Sequence, residues 1–143
     1  MESRKTLVVK WQRLLSDGQT CGRCQGTEVE VNKALVALKP ALSPLGIDVI
    51  LKKTELSVAE FQKDTLQSNM IWLNGRLLEE WLEGKTGQSQ CGDVCGLHDC
   101  RTVGLEEEVY ETIPSELIVK AGLLAASQLL ASQGTTREPK INS

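Results

Sequence analysis

The stretch TCGRCQGTEVEVNKAL, residues 20–35, places Cys21 and Cys24 between a β-like segment and a helical pattern. The preceding segment TLVVKWQRLL, residues 6–15, contains three contiguous apolar residues, which is typical of a strand covered on both faces. A C-x-x-C pair in this position fits a redox dithiol, half of a metal site, or two small buried core residues. The strand before it and the helix after it favour chemistry, with redox ahead of metal binding.

The helix after the pair has one clear apolar face and two possible starts. The residues on that face are Val31, Ala34, Leu35, Leu38 and Leu42. Thr27 and Glu30 could form a capping box, in which each side chain accepts a hydrogen bond from the backbone N–H of the other residue. Thr20 could instead cap a longer helix beginning at Cys21, at a cost of about 1 kcal/mol for each internal glycine. Pro40 and Pro44 are expected to end the helix.

The middle of the chain predicts a second strand, a short helix and a hairpin. Residues 46–56 place apolar side chains at alternate positions, as a strand does, and Ser57 with Glu60 is predicted to form a second capping box. Asn74-Gly75 suits a two-residue hairpin turn, since both central residues need positive φ. A strand-helix-strand start implies a parallel pair with a right-handed crossover. The chain should therefore form a small mixed α/β sheet flanked by helices.

The rest of the chain predicts a cysteine-rich loop, a short strand and a last helix. Residues 84–104 are rich in glycine and poor in apolar residues, and are interpreted as an inserted loop. EEEVYETI supplies a strand that could pair with residues 101–103. A helix follows, whose predicted inner side is formed by Leu117, Ala121, Leu124, Ala125 and Gln128. We expect one domain over residues 6–131, with a flexible segment at 1–5 and a disordered tail at 132–143.

Composition excludes several classes of function. The 143 residues have a net charge of −3 and 3% aromatic residues, which argues against nucleic acid and anionic membranes as partners. No apolar run approaches the roughly 20 residues of a membrane span, and the N-terminal residues do not resemble a signal peptide. The sequence therefore predicts a cytoplasmic protein. In a reducing compartment, the five cysteines are expected to bind metal or exchange electrons rather than form static disulfides.

The order of elements, with C-x-x-C between the first strand and the first helix, resembles the thioredoxin fold. SNMIWLNGRLL, residues 68–78, is similar to the hairpin of that fold, which commonly reads Ser-Pro, three apolar residues, then Asn-Gly. With CGRC, EEWL, CRTV and IPSELIVKAGLLAA, the chain resembles a family of uncharacterised thioredoxin-like prokaryotic proteins over most of residues 6–130. The resemblance implies a thioredoxin-like fold and no particular activity.

Two positions depart from the thioredoxin pattern. Thr20 stands where an aromatic residue usually precedes the first cysteine. Ser68-Asn69 stands where thioredoxins place a cis proline facing the dithiol. That proline shapes the substrate groove and keeps metals away from the sulfurs. Its loss is expected to weaken reductase activity and to ease metal binding.

The redox interpretation assigns a role to each residue near the first pair. Cys21 would be the nucleophile, with its thiolate stabilised by the helix dipole and by the charge of Arg23. Cys24 would be the resolving thiol. Ser68 and Asn69 would be accessory residues. The partner would be a protein or a low-molecular-weight thiol, and no cofactor would be required.

The second cluster is CGDVCGLHDC, with Cys91, Cys95, His98 and Cys100. Three thiolates and an imidazole can complete a tetrahedral zinc shell, although this spacing is not a common finger pattern. His98 could equally be an exposed loop histidine, and the cysteines could be unremarkable. A loop cysteine could also fold back to join the first pair in one thiol-rich centre.

The sequence therefore predicts a thiol protein that carries out thiol-disulfide exchange or thiol transfer. The first alternative is a protein that binds a soft metal such as zinc, or a metalloid, through the cysteine-rich loop. The second is a non-catalytic scaffold with a structural metal. No Ser-His-Asp set is indicated.

Overall fold

The computed structural model describes residues 4–14, 22–90 and 99–135, without the side chains of 22–25, 65, 89–90, 99–100 and 132–135. Eleven strands and helices follow in chain order: β1 (Lys5–Leu14), α1 (Gly22–Leu42), β2 (Ile47–Leu56), α2 (Val58–Lys63), β3 (Met70–Leu73), β4 (Arg76–Leu77), α3 (Leu78–Trp81), β5 (Lys85–Gln90), β6 (Asp99–Leu105), β7 (Glu108–Tyr110) and α4 (Ser115–Thr135). Short 3-10 turns cover Ser43–Leu45 and Thr65–Gln67. Parts of the predicted flexible segment and tail, residues 1–3 and 136–143, lie outside the described residues.

The main sheet has four strands in the order β2-β1-β3-β4. β1 and β2 are parallel, with Val8 opposite Ile50, whereas β3 is antiparallel to both β1 and β4. Asn74 and Gly75 join the hairpin with φ of 51° and 84°. Both values are positive, as a tight two-residue turn requires. The predicted mixed sheet with an Asn-Gly hairpin is confirmed.

The core lies on one face of this sheet. Leu7, Val9 and Trp11 alternate along β1 and are fully buried beneath α1 and α4. The 3-10 turn after α2 lies against the opposite face, where Gln12 Nε2 donates to the Gln67 carbonyl at 2.8 Å. Helices thus flank the sheet, but the second layer covers only part of its face. For this reason Val8 is only half-buried, and the prediction of a strand buried on both faces is wrong at that position.

α1 adopts the longer of the two predicted forms. It begins at Gly22, so Thr27 and Glu30 lie within the helix and do not cap its start. The predicted apolar face is confirmed, with all five of its residues buried. Pro40 does not end the helix, which continues to Leu42. The carbonyl that loses its donor there belongs to Val36, whose side chain is 74% exposed, so water can satisfy it.

α4 packs through a face that only partly matches the prediction: Ala121 and Ala125 are buried as predicted. Its buried residues are Ile118, Ala121, Gly122, Ala125 and Ala126. Leu124 is 41% exposed and Gln128 is also exposed, so both predictions for the inner side are wrong. A Cβ on Gly122 would lie 2.8 Å from Leu38 Cδ1. The helices approach too closely to admit larger side chains, which shifts the contact face toward alanine and glycine.

The segment predicted as a loop contains two strands of a second sheet. β5 and β6 form an antiparallel pair, from Lys85 opposite Gly104 to Gln90 opposite Asp99. β7 pairs with β6 through residues 103–105, so the predicted pairing with residues 101–103 is correct only at Val103. Apolar alternation is weak here because a buried ion pair, described below, holds these strands against the rest of the chain.

Candidate thiol site

The structure describes only part of the predicted site. Cys21, Cys91, Cys95 and His98 lie outside the described residues. Cys24 and Arg23 belong to the first turn of α1, and Cys100 lies on β6 opposite Ser89. Only the backbone of these three residues is described. Ser68 and Asn69 are described completely and are 1% and 3% exposed. The surroundings of the cysteine-bearing segments therefore define the site.

Glu28 fastens the second turn of α1 to the edge of the sheet. Its Oε2 accepts from Lys53 Nζ at 2.7 Å and lies 3.4 Å from Arg13 Nη1. The hydrogen bond from Lys53 lowers the pKa of Glu28, with the charges of Lys53 and Arg13 acting in the same direction against partial desolvation. The carboxylate thus links α1 to both β1 and β2, close to Cys24 in the chain.

Thr27 and Glu30 accept hydrogen bonds from the segment that leads into α4 and do not cap their own helix. Thr27 Oγ1 is buried and accepts from the Ile113 N–H at 3.1 Å. Glu30 Oε1 accepts from the Ser115 N–H at 2.8 Å, and Ser115 is the first residue of α4. This backbone hydrogen bond, followed by the one from Lys33, lowers the pKa of Glu30. The pair predicted to cap α1 instead stabilises the start of α4.

Gly26 allows the segment before α4 to approach the start of α1. A Cβ at this position would lie 2.9 Å from Thr112 Cγ2 and 3.0 Å from its Oγ1. Any side chain here would force the two segments apart. The glycine that lowers helix propensity is therefore required by packing.

Asn69 holds the turn before β3 in a conformation that proline cannot adopt. Its φ is 59°, and the residues that the structure describes contain no cis peptide bond. Proline requires φ near −65°, so the departure from the thioredoxin pattern is a change of backbone as well as of residue. The buried Trp11 donates its indole N–H to Asn69 Oδ1 at 3.0 Å.

One segment, Glu111–Ser115, contacts both the start of α1 and the turn before β3. It meets α1 at Gly26, Thr27 and Glu30, as described above. It also meets the turn, because Asn69 Nδ2 donates to the Glu111 carbonyl at 3.4 Å. The segment that carries Cys24 and the turn at Ser68-Asn69 therefore lie on either side of one short piece of chain.

A buried ion pair attaches the cysteine-bearing hairpin β5–β6 near the same turn. Arg101 Nη2 lies 2.6 Å from Glu79 Oε2, and their side chains are 5% and 4% exposed. Thr86 Oγ1 donates to the same carboxylate oxygen at 2.6 Å. Arg101 Nη1 donates to the Leu66 carbonyl at 2.7 Å, two residues before Ser68. This network was not predicted from the sequence, where its only signal is the basic residue Arg101 directly after Cys100.

Residues 7–122 match the profile of a domain of unknown function, DUF2703. The chain belongs to the DUF2703 family. An uncharacterized protein from Archaeoglobus fulgidus is 43% identical over 112 residues, which is 78% of this chain and 82% of that protein. No solved structure matches. The predicted membership of an uncharacterised prokaryotic family is confirmed.

The DUF2703 match includes both cysteine clusters, the turn before β3 and the first part of α4. Among the residues whose placement is described, no three His, Cys, Asp or Glu side chains form a metal-binding group. The predicted ligands themselves lie outside that set or lack a described side chain. In the same part of the chain, no helix is long and apolar enough to cross a membrane.

Proposed function

We propose that this DUF2703 protein is thioredoxin-like and exchanges dithiol for disulfide through Cys21 and Cys24. The observation that carries the proposal is the position of Cys24 in the first turn of α1, directly after the central strand β1. The parallel β1–β2 pair and the antiparallel β3–β4 hairpin agree with the resemblance to thioredoxins. The cytoplasmic location predicted from the sequence belongs to this proposal, because it requires a reducing compartment.

The proposed reaction transfers two electrons to a disulfide of a protein or of a low-molecular-weight thiol. The Cys21 thiolate attacks one sulfur, forms a mixed disulfide and releases the other sulfur as a thiolate. The Cys24 thiolate then attacks Cys21 in that mixed disulfide and releases the second thiolate. The partner disulfide is reduced to two thiols and the Cys21–Cys24 pair becomes a disulfide, which a dithiol or two further thiols reduce again while forming a disulfide of their own.

The surroundings of α1 support a reactive thiol at its start. Free N–H groups and the positive end of the helix dipole stabilise an anion at the beginning of a long helix, and α1 has 21 residues. Glu28, Thr27 and Glu30 fix this helix to three other parts of the chain. The helix start can therefore hold its orientation while sulfur bonds form and break.

The test is reduction of a small aromatic disulfide by the purified protein with a dithiol as electron source. Cys21→Ser is expected to abolish turnover, and Cys24→Ser should stop it after a mixed disulfide that mass spectrometry detects. Cys91→Ser is the matched control and should retain activity. The rate of Cys21 alkylation against pH should give a thiol pKa below the usual value of about 8.5. Full turnover by Cys21→Ser would refute the proposal.

A second candidate function, binding of a soft metal or metalloid, is supported by the register of β5 and β6. Gln90 pairs with Asp99, and these residues directly precede Cys91 and directly follow His98. Residues paired across antiparallel strands lie about 5 Å apart at Cα. Gln90 and Asp99, which flank the Cys91–His98 segment in the sequence, therefore lie side by side, and Cys100 is the next residue along β6. This arrangement suits a zinc-like site formed by Cys91, Cys95, His98 and Cys100.

Metal analysis of the purified protein distinguishes the two functions. A metal site should give one equivalent of metal that a chelator removes and that Cys95→Ser lacks. Cys21→Ser should keep the metal if the clusters are separate. Loss of metal in both variants would mean that the cysteines form a single centre. Bound metal without disulfide reduction, in a protein that loses structure when a chelator removes the metal, would favour the non-catalytic scaffold with a structural metal.

A further inference from the structure

The face of the main sheet that points away from α1 and α4 is incompletely covered. We call the uncovered part, formed by Val8, Lys10, Ile50, Lys52 and Trp72, the open face. Ile50 is 48% exposed, Lys52 is exposed, and the other three are half-buried. Parallel strand pairs such as β1–β2 are normally covered on both faces. Here the 3-10 turn after α2 bonds to Gln12, which also accepts from Thr54, at one end of the sheet.

The open face also concentrates positive charge. Lys10 and Lys52 are directly opposite each other on neighbouring strands, an arrangement that is unfavourable for like charges. Lys10 Nζ lies 4.7 Å from the centre of the Trp72 ring. Within the described residues, neither lysine has a carboxylate at ion-pair distance, whereas Lys53, which points to the other side of β2, pairs with Glu28. The protein as a whole is acidic, with a net charge of −3.

We propose that the open face binds an amphipathic helix of a partner protein that carries carboxylates beside an apolar stripe. Three neighbouring strands span roughly 10 Å, which is the diameter of one α-helix. Val8, Ile50 and Trp72 would receive the apolar stripe, and the two lysines would receive the carboxylates. The helix would supply the covering layer that the described residues provide only at one end of this face.

Charge argues against the other possible occupants. Two copies packed through this face would bring four lysines together. Residues 136–143 carry Arg137 and Lys140 against Glu138, so that segment has an excess of positive side chains. A partner with carboxylates relieves the repulsion between Lys10 and Lys52, whereas either alternative would increase it.

The first test measures binding of a labelled synthetic helix of 18 residues, with a leucine stripe flanked by glutamates, to the full chain by fluorescence anisotropy. Lys52→Glu is expected to weaken binding about tenfold or more. Lys39→Glu makes the same charge change at an exposed position on α1 and should leave binding unchanged. A peptide with lysines in place of the glutamates should not bind. Equal binding by the wild type and Lys52→Glu, or no binding by either, would overturn the proposal.

The second test labels lysines with an acylating reagent and reads each site by mass spectrometry. Lys52 should react readily in the protein alone and should be protected by the acidic peptide. Protection of Lys52 in the protein alone, independent of concentration, would mean that a segment of the same chain covers the face. Protection that rises with protein concentration would mean that a second copy covers it. Either result would overturn the proposal, and neither depends on the chemistry of the cysteines.

Discussion

The start of α1 and the hairpin β5–β6 both carry cysteines, but they are attached to the rest of the chain in different ways. The start of α1 is held on two sides: Glu28 bonds to the sheet, and Thr27 and Glu30 bond to the segment Glu111–Ser115. The hairpin lies outside the main sheet and is attached through the buried pair of Glu79 and Arg101 together with the apolar contacts of Val103 and Leu105. Contacts to separate parts of the chain fix the orientation of the helix start. A single buried charge network makes the attachment of the hairpin sensitive to one substitution. The first arrangement suits a reactive thiol that must keep its orientation, and the second suits ligands that rearrange around an ion.

The largest expected effect is loss of the hairpin's attachment. Arg101→Ala leaves the Glu79 carboxylate buried and without its cation, which typically costs 3–5 kcal/mol, or about 4 kcal/mol here. Urea unfolding of the wild type and the variant measures this difference. Arg76→Ala is the control, because Arg76 lies 3.8 Å from Glu80 in an exposed pair that should contribute less than about 1 kcal/mol.

The same variant tests the comparison between the two regions. If the hairpin is attached independently of α1, Arg101→Ala should weaken metal binding more than it slows disulfide reduction. Replacing both partners, Glu79→Leu with Arg101→Met, should recover much of the stability, because no unpaired charge remains. Equal loss of both activities in folded Arg101→Ala would mean that the two cysteine clusters depend on one structure.

The elements that could be predicted from the sequence are those with a local signal. Ser57 and Glu60 form the predicted capping box, with hydrogen bonds of 3.1 and 2.9 Å, because both partners lie within one helical turn. The Asn74-Gly75 turn is equally local. β5 and β6 were missed because their attachment depends on Glu79 and Arg101, which are 22 residues apart and have no periodic pattern between them.

The candidate site shows the same limit. Thr27 and Glu30 have the spacing of a capping box, so the local rule assigns them to the start of α1. In the structure their partners are Ile113 and Ser115, more than 80 positions along the chain. A rule based on neighbouring residues cannot find such partners. The cysteine spacing indicated a site, but the contacts that support it come from distant residues.

Asn69 tests whether the turn before β3 is rigid where it contacts Trp11 and Glu111. Asn69→Pro should be the more damaging substitution, since φ of 59° is closed to proline, and it should cost more than about 1 kcal/mol. Asn69→Gly keeps the backbone and removes the acceptor of the buried Trp11 N–H, for about 1–3 kcal/mol. Asn74→Gly is the matched control at a second positive φ, where the acceptor is more exposed and the loss should be smaller. Urea unfolding followed by tryptophan fluorescence measures all three.

If Asn69→Pro is tolerated as well as Asn69→Gly, the turn adapts, and the difference from thioredoxins is one of side chain alone. In that case the proline variant should also bind metal less readily at the first cysteine pair. A stable protein with unchanged metal binding would argue that this turn does not face the dithiol.

The smallest expected effect concerns Glu30 and acid. Its pKa is lowered from 4.5 chiefly by the Ser115 N–H, so the folded state favours the carboxylate. The stability from this interaction is therefore complete above pH 4.5 and is lost as the pH falls through the lower pKa of the folded protein. Glu30→Gln keeps an acceptor for Ser115 but removes the titration, so its stability should fall less steeply with acid than that of the wild type.

Glu60→Gln is the control. It should also make stability fall less steeply with acid, through α2, because the Ser57 N–H lowers the pKa of Glu60. Of the two variants, only Glu30→Gln should also change Cys21 alkylation at low pH, since Glu30 lies on the cysteine-bearing helix and Glu60 lies on α2. An equal change of alkylation in both variants would mean that acid acts on the whole fold and that the start of α1 has no separate attachment through Glu30.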